Sequence, residues 1–599
     1  MILGDWFAVL PGSSPAAQCA AAALHRLEPG ARTLAYHAGT PWIVGCQSRS
    51  VTVAQNAGTT AVLLGAHTVT EEQLLRAMPS GVNGPTELLR FPGSYTAVVA
   101  RGQDITAYGD VAGMRPLFTA EVGGAWMLAD RALLLADLTG TARVDRQNLA
   151  LCLLGPVPPL PLAESGTSPY EGVQAVPPGS SVHIAGTAIR MRRWWTPPDD
   201  ERPLHEAAPV LRDALAQAVA VRTAGPAPVA CELSGGADST ALSALAYERI
   251  GARVINLTRA PADPGNDDVT WARRVIVDQP GARHEIVPVA AIPPQFAGID
   301  NPPALDAPSP SALSPDRSAQ WWTLAASSGA RVMLSGKGGD ETTLTPVTYL
   351  HRLGRLERRR HVTGWAALWG LPRRQVLTLA GNTGTYTAWL AHCLTRRSEA
   401  HGWEASPSVP PWMSAGARER LADALGQVRD AEPLHERSHQ HTTAAAVRGL
   451  ARWSRHQTAA AEPFGIHMEY PYADRHVIEA AMATRAQDRT SPYQNKPLLS
   501  AAMSGIVAPD IRARRTKGGY SADTEGATTG ARRKLAQLLC EGSQLASLEL
   551  IDPGRLAAAV ADWKHADGST DLLLHLTLMC EVWARTVHDT TPTTTTEAR

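Results

Sequence analysis

Apolar residues recur with two different periods along this chain, and the change of period divides it into regions. Up to about residue 200, short apolar stretches are separated by glycines and polar turns, which is typical of β-strands. The predicted strands are Leu34–His37, Pro41–Val44, Ser94–Ala100 and Ala125–Ala129. Two further segments, Glu71–Met78 and Asp145–Leu154, have apolar residues at helical spacing. We therefore expect an α+β sandwich domain over residues 1–200.

Strands and helices alternate after the proline-rich, acidic segment Thr196–Pro203, which we interpret as a linker. The predicted strands are Val229–Leu233, Val254–Leu257, His284–Val287 and Arg331–Leu334, and the predicted helices are His205–Val221, Ser239–Arg249, Val269–Val277 and Arg317–Ser327. Such alternation predicts an α/β doubly wound parallel sheet whose strand carboxyl ends form one ligand-binding edge. The long, proline-rich stretch Pro288–Pro315 has no regular pattern, and we expect a functional lid there.

The C-terminal part, from about residue 342, is predicted to be helical and without strands, with loops at Ser406–Pro411 and Gly518–Gly530. We expect residues 205–590 to form one domain, which joins the parallel sheet to this large helical part. The threonine-rich tail, 591–599, is of low complexity and is predicted to be disordered.

Composition and charge exclude several classes of protein. Of the 599 residues, 44% are hydrophobic, so the chain has enough apolar side chains for a packed core. Lys plus Arg and Asp plus Glu both number 56, which argues against a nucleic-acid or membrane-surface binder. No apolar run reaches the roughly 18 residues of a transmembrane segment, and the start does not resemble a secretory signal. Seven cysteines without a CxxC pair favour reduced thiols and a cytoplasmic location.

The strongest chemical signal follows the predicted strand Val229–Leu233. The sequence Ser234-Gly235-Gly236-Ala237-Asp238-Ser239 leads from this strand directly into a helix. Adjacent glycines allow a tight turn that points several backbone N–H groups at one place, and the helix N-terminus adds partial positive charge. We predict a pyrophosphate site there. An aspartate beside phosphate groups implies an intervening cation, and we expect Mg²⁺.

A second glycine-rich turn, Ser335-Gly336-Lys337-Gly338-Gly339-Asp340-Glu341, follows the strand Arg331–Leu334. Turns at the carboxyl ends of parallel strands converge on one crevice. We therefore expect Asp340 to share the Mg²⁺ with Asp238, and Lys337 to reach a phosphate as a point charge.

Both turns, in this order and spacing, resemble those of the asparagine synthetase family of ATP pyrophosphatases. Four shorter segments also resemble motifs of that family: Asp306-Ala-Pro308, Pro471-Tyr-Ala-Asp474, Lys496-Pro-Leu-Leu499 and Arg515-Thr-Lys517-Gly-Gly519. The match at Pro471–Asp474 is partial, because His467 and Glu469 stand where the family has Glu and Arg just before Pro471. The resemblance implies an enzyme that adenylates a carboxylate, releases pyrophosphate and lets an amine attack.

The N-terminal third resembles the glutaminase (Ntn-type) domain of the same family. The matching segments are Gly93–Val98, Asp110–Phe118, Pro177–Gly179 and Arg193–Trp195. In that family the nucleophile is a cysteine directly after Met1, whereas this chain has Ile2, and its first cysteine is Cys19. We therefore expect a degenerate glutaminase-like domain that releases no ammonia and serves structure or recognition.

The resemblance and the motif positions together give a set of candidate site residues. The expected cofactors are ATP and Mg²⁺. We predict ATP contacts from Leu233, Ser234, Gly235, Gly236, Asp238, Ser239, Leu257, Thr258, Ser335 and Gly336, with Asp238 and Asp340 as metal ligands. Lys517 and Lys337 are the predicted catalytic residues, since the family's lysine at the former position contacts the α-phosphate or the tetrahedral intermediate. His284, His456 and His467 are candidate general bases.

Four functions remain open. The chain resembles lasso-peptide macrolactam cyclases in its absent glutaminase nucleophile, its length, Lys337 and the irregular insert. These enzymes join an Asp or Glu side chain of a precursor peptide to the N-terminal amine of that peptide. That resemblance implies a leader-binding protein and a leader peptidase as partners. The alternatives are a β-lactam synthetase, which needs a Tyr–Glu pair at the crevice, an ammonia-dependent asparagine synthetase and a catalytically dead nucleotide-binding scaffold. Glu is usual at position 337 of asparagine synthetases, and their Gly-Gly-Tyr segment is replaced here by Thr342–Pro346.

Overall fold

The chain contains seventeen strands and twenty-three α-helices within the residues that this computed structural model describes. The described residues are 4–11, 15–78, 87–140, 142–155, 158–166, 168–381, 384–395, 402–515, 518, 521–563 and 567–590, without the side chains of 15–18, 394–395, 521–529 and 588–590. The predicted disordered tail, 591–599, lies outside them. None of the described helices has an apolar stretch long enough to cross a lipid bilayer.

The first region contains two antiparallel sheets. Its strands are β1 Trp6–Val9, β2 Arg32–His37, β3 Thr40–Cys46, β4 Ser50–Asn56, β5 Thr59–Ala66, β6 Ser94–Arg101, β7 Asp104–Tyr108, β8 Leu117–Val122, β9 Ala125–Ala129, β10 Gln174–Val176, β11 Ser180–Ala185 and β12 Ala188–Arg193. Its helices are α1 Pro15–Leu27, α2 Glu71–Ala77, α3 Ala132–Thr139, α4 Arg146–Cys152 and α5 Leu160–Ala163. The strand orders are β10-β8-β9-β1-β3-β2 and β12-β11-β7-β6-β5-β4.

These two sheets pack face to face, as the alternation of apolar and polar residues predicts. Residues such as Phe7, Ile43, Val62 and Val98 fill the layer between them. Helix α2 covers the outer face of the second sheet through Leu74, while α1 and α3 cover the first. The α+β sandwich expected at the N-terminus is therefore present, with helices on both outer faces.

The second region begins with a parallel sheet. Its strands are β13 Val229–Glu232, β14 Val254–Ala260, β15 Arg283–Pro288, β16 Val332–Leu334 and β17 His467–Glu469, in the order β15-β14-β13-β16-β17. The helices of this region up to β16 are α6 Leu204–Arg222, α7 Ala237–Ile250, α8 Asp268–Val277 and α9 Pro315–Ser327. The chain reverses its winding direction between β13 and β16, so the predicted doubly wound sheet is confirmed.

Both faces of this sheet are buried. Val229 and Cys231 of β13 pack with α6 and α7, whereas Ala230 and Met333 face the other way, in the same apolar cluster as Trp322 of α9. Burial on both faces is characteristic of parallel sheets, which are covered by their crossover helices.

The remaining chain is largely helical. Its helices are α10 Gly339–Thr343, α11 Arg355–Trp369, α12 Arg373–Leu379, α13 Tyr386–Thr395, α14 Ala415–Val428, α15 Ser438–Ala461, α16 Arg475–Met482, α17 Ala486–Arg489, α18 Pro497–Ala502, α19 Pro509–Arg512, α20 Ser521–Cys540, α21 Gln544–Ser547, α22 Pro553–Ala561 and α23 Gly568–Thr590.

Two predictions for this part are wrong. Strand β17 lies in the region predicted to lack strands, because its three residues are too short to show a period and are fixed by pairing with β16. The predicted loop Gly518–Gly530 is helical from Ser521 onward, despite its glycines.

The predicted lid, Pro288–Pro315, is a packed segment at the boundary of the two regions. It has no helix or strand beyond short 3₁₀ turns, yet Phe296 and Leu305 are buried in the core. The Asp306 carboxylate accepts hydrogen bonds from the backbone N–H groups of Ala132 and Leu133, at 2.8 and 2.9 Å, and so caps α3 of the first region. The segment therefore ties the two regions together instead of closing over the sheet.

Candidate active site

The turn after β13 has the backbone of an anion site. Gly235 has φ of +70°, and a Cβ there would lie 2.7 Å from the backbone nitrogen of Ala272 on α8, so only glycine fits. Gly236 is the N-cap of α7, whose first N–H groups face the turn. The hydroxyls of Ser234 and Ser239 lie 3.2 Å apart beside it. Such an arrangement of N–H and O–H donors suits phosphate oxygens.

The turn after β16 is pressed against the first one. A Cβ on Gly336 would lie 3.0 Å from the backbone nitrogen of Ser239, so the two turns are in van der Waals contact. Gly338 has φ of +93° and begins the short helix α10. Ser335 is buried and donates its hydroxyl to Glu232 at 2.5 Å, so it supports the turn from below. The predicted convergence of the two turns at the switch point of the sheet is thus observed.

Asp238 and Asp340, the predicted metal ligands, are held together by a lysine. The Lys496 ammonium lies 2.5 Å from both carboxylate oxygens of Asp238 and 2.6 Å from Asp340 Oδ1. The Lys496 side chain is 7% exposed, whereas the side chains of Asp238 and Asp340 are 20% and 44% exposed. Its charge offsets the repulsion between two carboxylates at close range.

Lys496 also has a strained backbone. Its φ of +43° and ψ of +60° lie in the left-handed region, at the residue that begins α18. A non-glycine residue in this region costs on the order of 1–2 kcal/mol, and such strain persists only where the surroundings fix it. Sequence reasoning matched Lys496 to a family motif without giving it a role, because no pattern showed that its side chain reaches two aspartates more than 150 residues away along the chain.

The two carboxylates fit the ligand preference of Mg²⁺. Carboxylate oxygens are hard ligands, and Mg²⁺ typically binds one or two of them together with substrate phosphates. Asp340 is accessible to solvent, and burial raises the pKa of the neighbouring Glu341. Asp238 and Asp340 would hold the ion, with Lys496 adjacent.

The predicted adenine and ribose contacts lie deeper than expected. The side chains of Leu233 and Leu257 are in the core, and the Leu233 N–H donates to the Leu257 carbonyl at 2.9 Å. The Thr258 hydroxyl donates to the Leu233 carbonyl at 2.6 Å and lies 2.8 Å from His284 Nε2. These side chains support the strand ends, so contact with a nucleotide would fall to their backbone.

Of the two predicted catalytic lysines, the structure describes the position of one, Lys337. Lys337 is exposed, and its ammonium donates to Gln457 of α15 at 2.7 Å, so it points to the rim of the crevice. Lys517 lies outside the described residues. The next residue, Gly518, is described, and its backbone N–H donates to Asp268 of α8 at 3.3 Å.

Arg514 is a further residue of the site that sequence reasoning passed over as part of a basic run. Its guanidinium donates to the Ser234 carbonyl at 3.2 Å and to Asp267 and Asp268 at 2.6 Å each, and it lies over the Trp271 ring. It therefore fixes the first glycine turn against α8. The polar partners on both sides of this buried arginine could not be read from its sequence neighbourhood.

The candidate general bases make no hydrogen bond to the described residues of the glycine turns. Burial lowers the pKa of His284, and burial together with Arg455 lowers that of His456 well below its usual value. His467 lies 3.1 Å from the hydroxyl of Ser48 and 3.7 Å from Glu462, at the boundary with the first region.

That boundary contains a buried ionic network. Glu469 of β17 pairs with Arg49 of the first region and with Arg222 of α6, the latter at 2.8 Å, while Arg115 lies 3.5 Å away. Arg222 also binds Asp474 through two nitrogens, each at 2.7 Å. The glutamate that replaces the family's arginine is thus surrounded by arginines. Cys19, the first cysteine, is exposed on α1.

Comparison with known proteins is consistent with this site. The family model for asparagine synthase matches residues 210–585, which include both glycine turns and Lys496. The chain belongs to the asparagine synthase family. Carboxyethyl-arginine beta-lactam-synthase of Streptomyces clavuligerus is 30% identical over 266 residues, which cover 40% of this chain and 46% of that relative. The match thus spans less than half the length of the relative.

Two of the solved structures that match illustrate the similarity. One is the allosteric regulatory enzyme of purine biosynthesis, at 12% identity over 49% of this chain and 75% of that chain, with a TM-score of 0.20. The other is glutamine phosphoribosylpyrophosphate amidotransferase from B. subtilis in complex with ADP and GMP, at 11% identity over 57% of this chain and 82% of that chain, with a TM-score of 0.22. Such low TM-scores carry no structural inference.

Proposed function

We propose that this protein is an ATP-dependent amide ligase that forms a macrolactam. It adenylates the side-chain carboxylate of an Asp or Glu in a precursor peptide and joins it to the N-terminal amine of the same peptide. The single observation that carries the ligase part is the contact between the two glycine turns, with Asp238, Lys496 and Asp340 gathered beside them. Family membership supports the same chemistry.

In the first step, a carboxylate oxygen attacks the α-phosphorus of ATP and pyrophosphate leaves. The turn residues Ser234 to Gly236 and the start of α7 would bind the leaving pyrophosphate through N–H and O–H donors. Bound Mg²⁺ supplies charge neutralisation on the phosphates. Lys496 holds Asp238 and Asp340 at one point, which fixes their direction before ATP arrives.

In the second step, the amine nitrogen attacks the acyl carbon, AMP leaves and the amine loses a proton to solvent or a base. A neutral amine needs no strong base. The segment that includes Lys517 begins next to Arg514, which is bound to the first turn, so we assign Lys517 to the acyl-adenylate. Lys337, at the rim, would meet the peptide or the phosphates after leaving Gln457.

The peptide substrate is supported by what the first region lacks. Position 2 holds Ile where the family's glutaminases have cysteine, and we propose that the amine belongs to the substrate itself. We propose that a leader-binding protein and a leader peptidase deliver the peptide with a free N-terminus. Because all seven cysteines are unpaired, we place the reaction in the cytoplasm.

A β-lactam-forming activity is the second candidate, favoured by the relative from Streptomyces clavuligerus. It would use a Tyr–Glu pair at the crevice. Among the described residues, the one Tyr–Glu hydrogen bond joins Tyr386 to Glu404 at 2.7 Å, and Glu404 also accepts from His441 and from the backbone of Leu160. These partners of Glu404 belong to α13, α15 and α5, and none of them is a residue of either glycine turn.

The test combines the purified protein, Mg²⁺-ATP and a linear peptide with a free N-terminus and one acidic residue at varied positions. We expect a product lighter by one water, resistant to exopeptidase, together with AMP. AMP formed only with free aspartate and ammonia would instead assign asparagine synthesis, and AMP formed only with a small β-amino acid would assign β-lactam formation. No AMP with any substrate would leave the scaffold function. Asp238→Asn should abolish AMP release, while Asp430→Asn, on a side chain 88% exposed, should not.

A further inference from the structure

A cavity of about 110 Å³ lies between α15 and the first region, away from the two glycine turns. Its walls come from Arg448, Arg452 and Arg455 on one side and from the segments Asp110–Phe118 and Val176–Pro178 on the other. Since one water needs only about 10–15 Å³ measured in this way, the space is sufficient for a small molecule. The proposed ligase function does not use this cavity.

The carboxylates that line the cavity are already satisfied. Glu164 receives two hydrogen bonds from Arg448, at 2.7 and 2.8 Å. Asp110 accepts three backbone N–H groups of the following turn, at 3.0–3.1 Å. Glu404 accepts from side chains of α13 and α15. None of these three carboxylates is left to neutralise another arginine at hydrogen-bonding distance.

Two arginines of α15 have no carboxylate at hydrogen-bonding distance among the described residues. Arg455 makes no hydrogen bond or ion pair with any residue that the structure describes, and Arg452 contacts only the Cys152 sulfur, at 3.2 Å, which is a weak acceptor. They are three residues apart on one helix and so lie on the same face. Burial, with Arg452 adjacent, lowers the pKa of Arg455 to about 10.

Arg115 adds a third positive charge from the opposite wall. Its side chain lines the same cavity and lies 3.5 Å from Glu469, while burial, together with Arg49, lowers its pKa to about 9. Concentrating buried guanidinium groups is unfavourable unless something negative compensates them. Guanidinium groups bind carboxylate and phosphate oxygens in a planar, two-pronged manner.

We propose that this cavity is a binding site for a small oxyanion, of phosphate or carboxylate type, held by Arg452 and Arg455 from α15 and by Arg115 from the first region. The anion would neutralise the excess charge and join the glutaminase-like region to the helix that precedes β17. The first region would thereby acquire a role in ligand-dependent docking.

The experiment follows thermal unfolding of the full-length protein while inorganic phosphate or succinate is added at constant ionic strength. We expect a dose-dependent rise in Tm of a few degrees, since a ligand that binds only the folded state stabilises it. A rise in Tm with phosphate but not with succinate would identify a phosphate-type ligand. A rise with succinate but not with phosphate would identify a carboxylate-type ligand. No rise with either anion would overturn the proposal.

Three variants test whether the anion that raises the Tm binds in this cavity. Arg455→Met should lose the rise, yet be about as stable as the wild type without anion, because it removes a partly buried guanidinium that has no carboxylate at hydrogen-bonding distance. Arg429→Met removes an arginine that is 72% exposed and should keep the rise. Lys496→Met alters the crevice and should keep it as well. A rise that survives in Arg455→Met but disappears in Lys496→Met would place the anion in the crevice and refute the cavity site.

Discussion

Lys496→Met is the variant that most sharply separates the two roles of the Asp238–Lys496–Asp340 cluster. At an effective dielectric constant of about 20, an ion pair at 2.5 Å has a gross attraction of about 6–7 kcal/mol, most of which desolvation cancels. Removing one partner of a fully buried pair costs about 3–5 kcal/mol. Because the side chain of Asp340 is 44% exposed and that of Asp238 is 20% exposed, water compensates in part, and we expect a loss of about 1–3 kcal/mol.

Urea unfolding of the protein without nucleotide measures this loss, and AMP release measures activity. We expect AMP formation to fall at least about 100-fold, as when one preorganised charge is removed from an active site. Added Mg²⁺ should restore more stability to Lys496→Met than to the wild type, because two carboxylates then face each other without an ammonium. Lys534→Met, which breaks an exposed pair with Asp300, is the control and should cost below about 1 kcal/mol. Wild-type stability and activity in Lys496→Met would refute this reasoning.

Three further predictions concern other contacts. Gly339→Ala should reduce AMP release at least about tenfold with little change in Tm, since its Cβ would overlap the carboxylate of Asp238. Glu469→Gln should lower the free energy of unfolding by about 1–3 kcal/mol, because it removes one of the two carboxylates that neutralise buried Arg222, and Asp474 remains as the other. Burial raises the pKa of Asp130 to about 7, above an unfolded value of about 3.9, so its contribution to stability is lost as pH rises through 7. Asp130→Asn should therefore be more stable than the wild type at pH 8 and equal to it below about pH 4.

Each of these has a matched control. Gly354→Ala places its Cβ in open space and should leave activity unchanged. Glu549→Gln removes the charge of a side chain that is 74% exposed and should cost below about 1 kcal/mol. Asp430→Asn should show no difference from the wild type between pH 4 and pH 8. Activity in Gly339→Ala equal to that of Gly354→Ala, or a pH-independent effect of Asp130→Asn, would contradict the respective contact.

The parallel sheet could be predicted from the sequence because short segments with apolar residues alternate with segments that have the apolar spacing of a helix. The turns at Ser234 and Ser335 were found for the same reason: glycine pairs at strand ends are local signals. Their convergence then follows from the topology of a doubly wound sheet. Strand β17 was missed because three residues have no detectable period, and only pairing with β16 defines it.

Long-range polar contacts were beyond sequence reasoning. Lys496 reaches Asp238 across 258 positions, and Arg514 reaches the Ser234 carbonyl across 280. Neither separation leaves a pattern in one sequence. The proposed lid failed for a related reason: the irregular segment has buried apolar residues and the cap at Asp306, and irregularity alone does not distinguish a packed connection from a mobile one.

The central claim is that the protein transfers AMP to a carboxylate, and isotope transfer tests it most directly. A peptide with ¹⁸O in its acidic side chain is incubated with the protein and Mg²⁺-ATP, and the nucleotide product is analysed by mass spectrometry. Attack of the carboxylate on the α-phosphorus, followed by amide formation, predicts that each AMP gains one ¹⁸O. Unlabelled AMP, or ADP with the label in phosphate, would contradict adenylation.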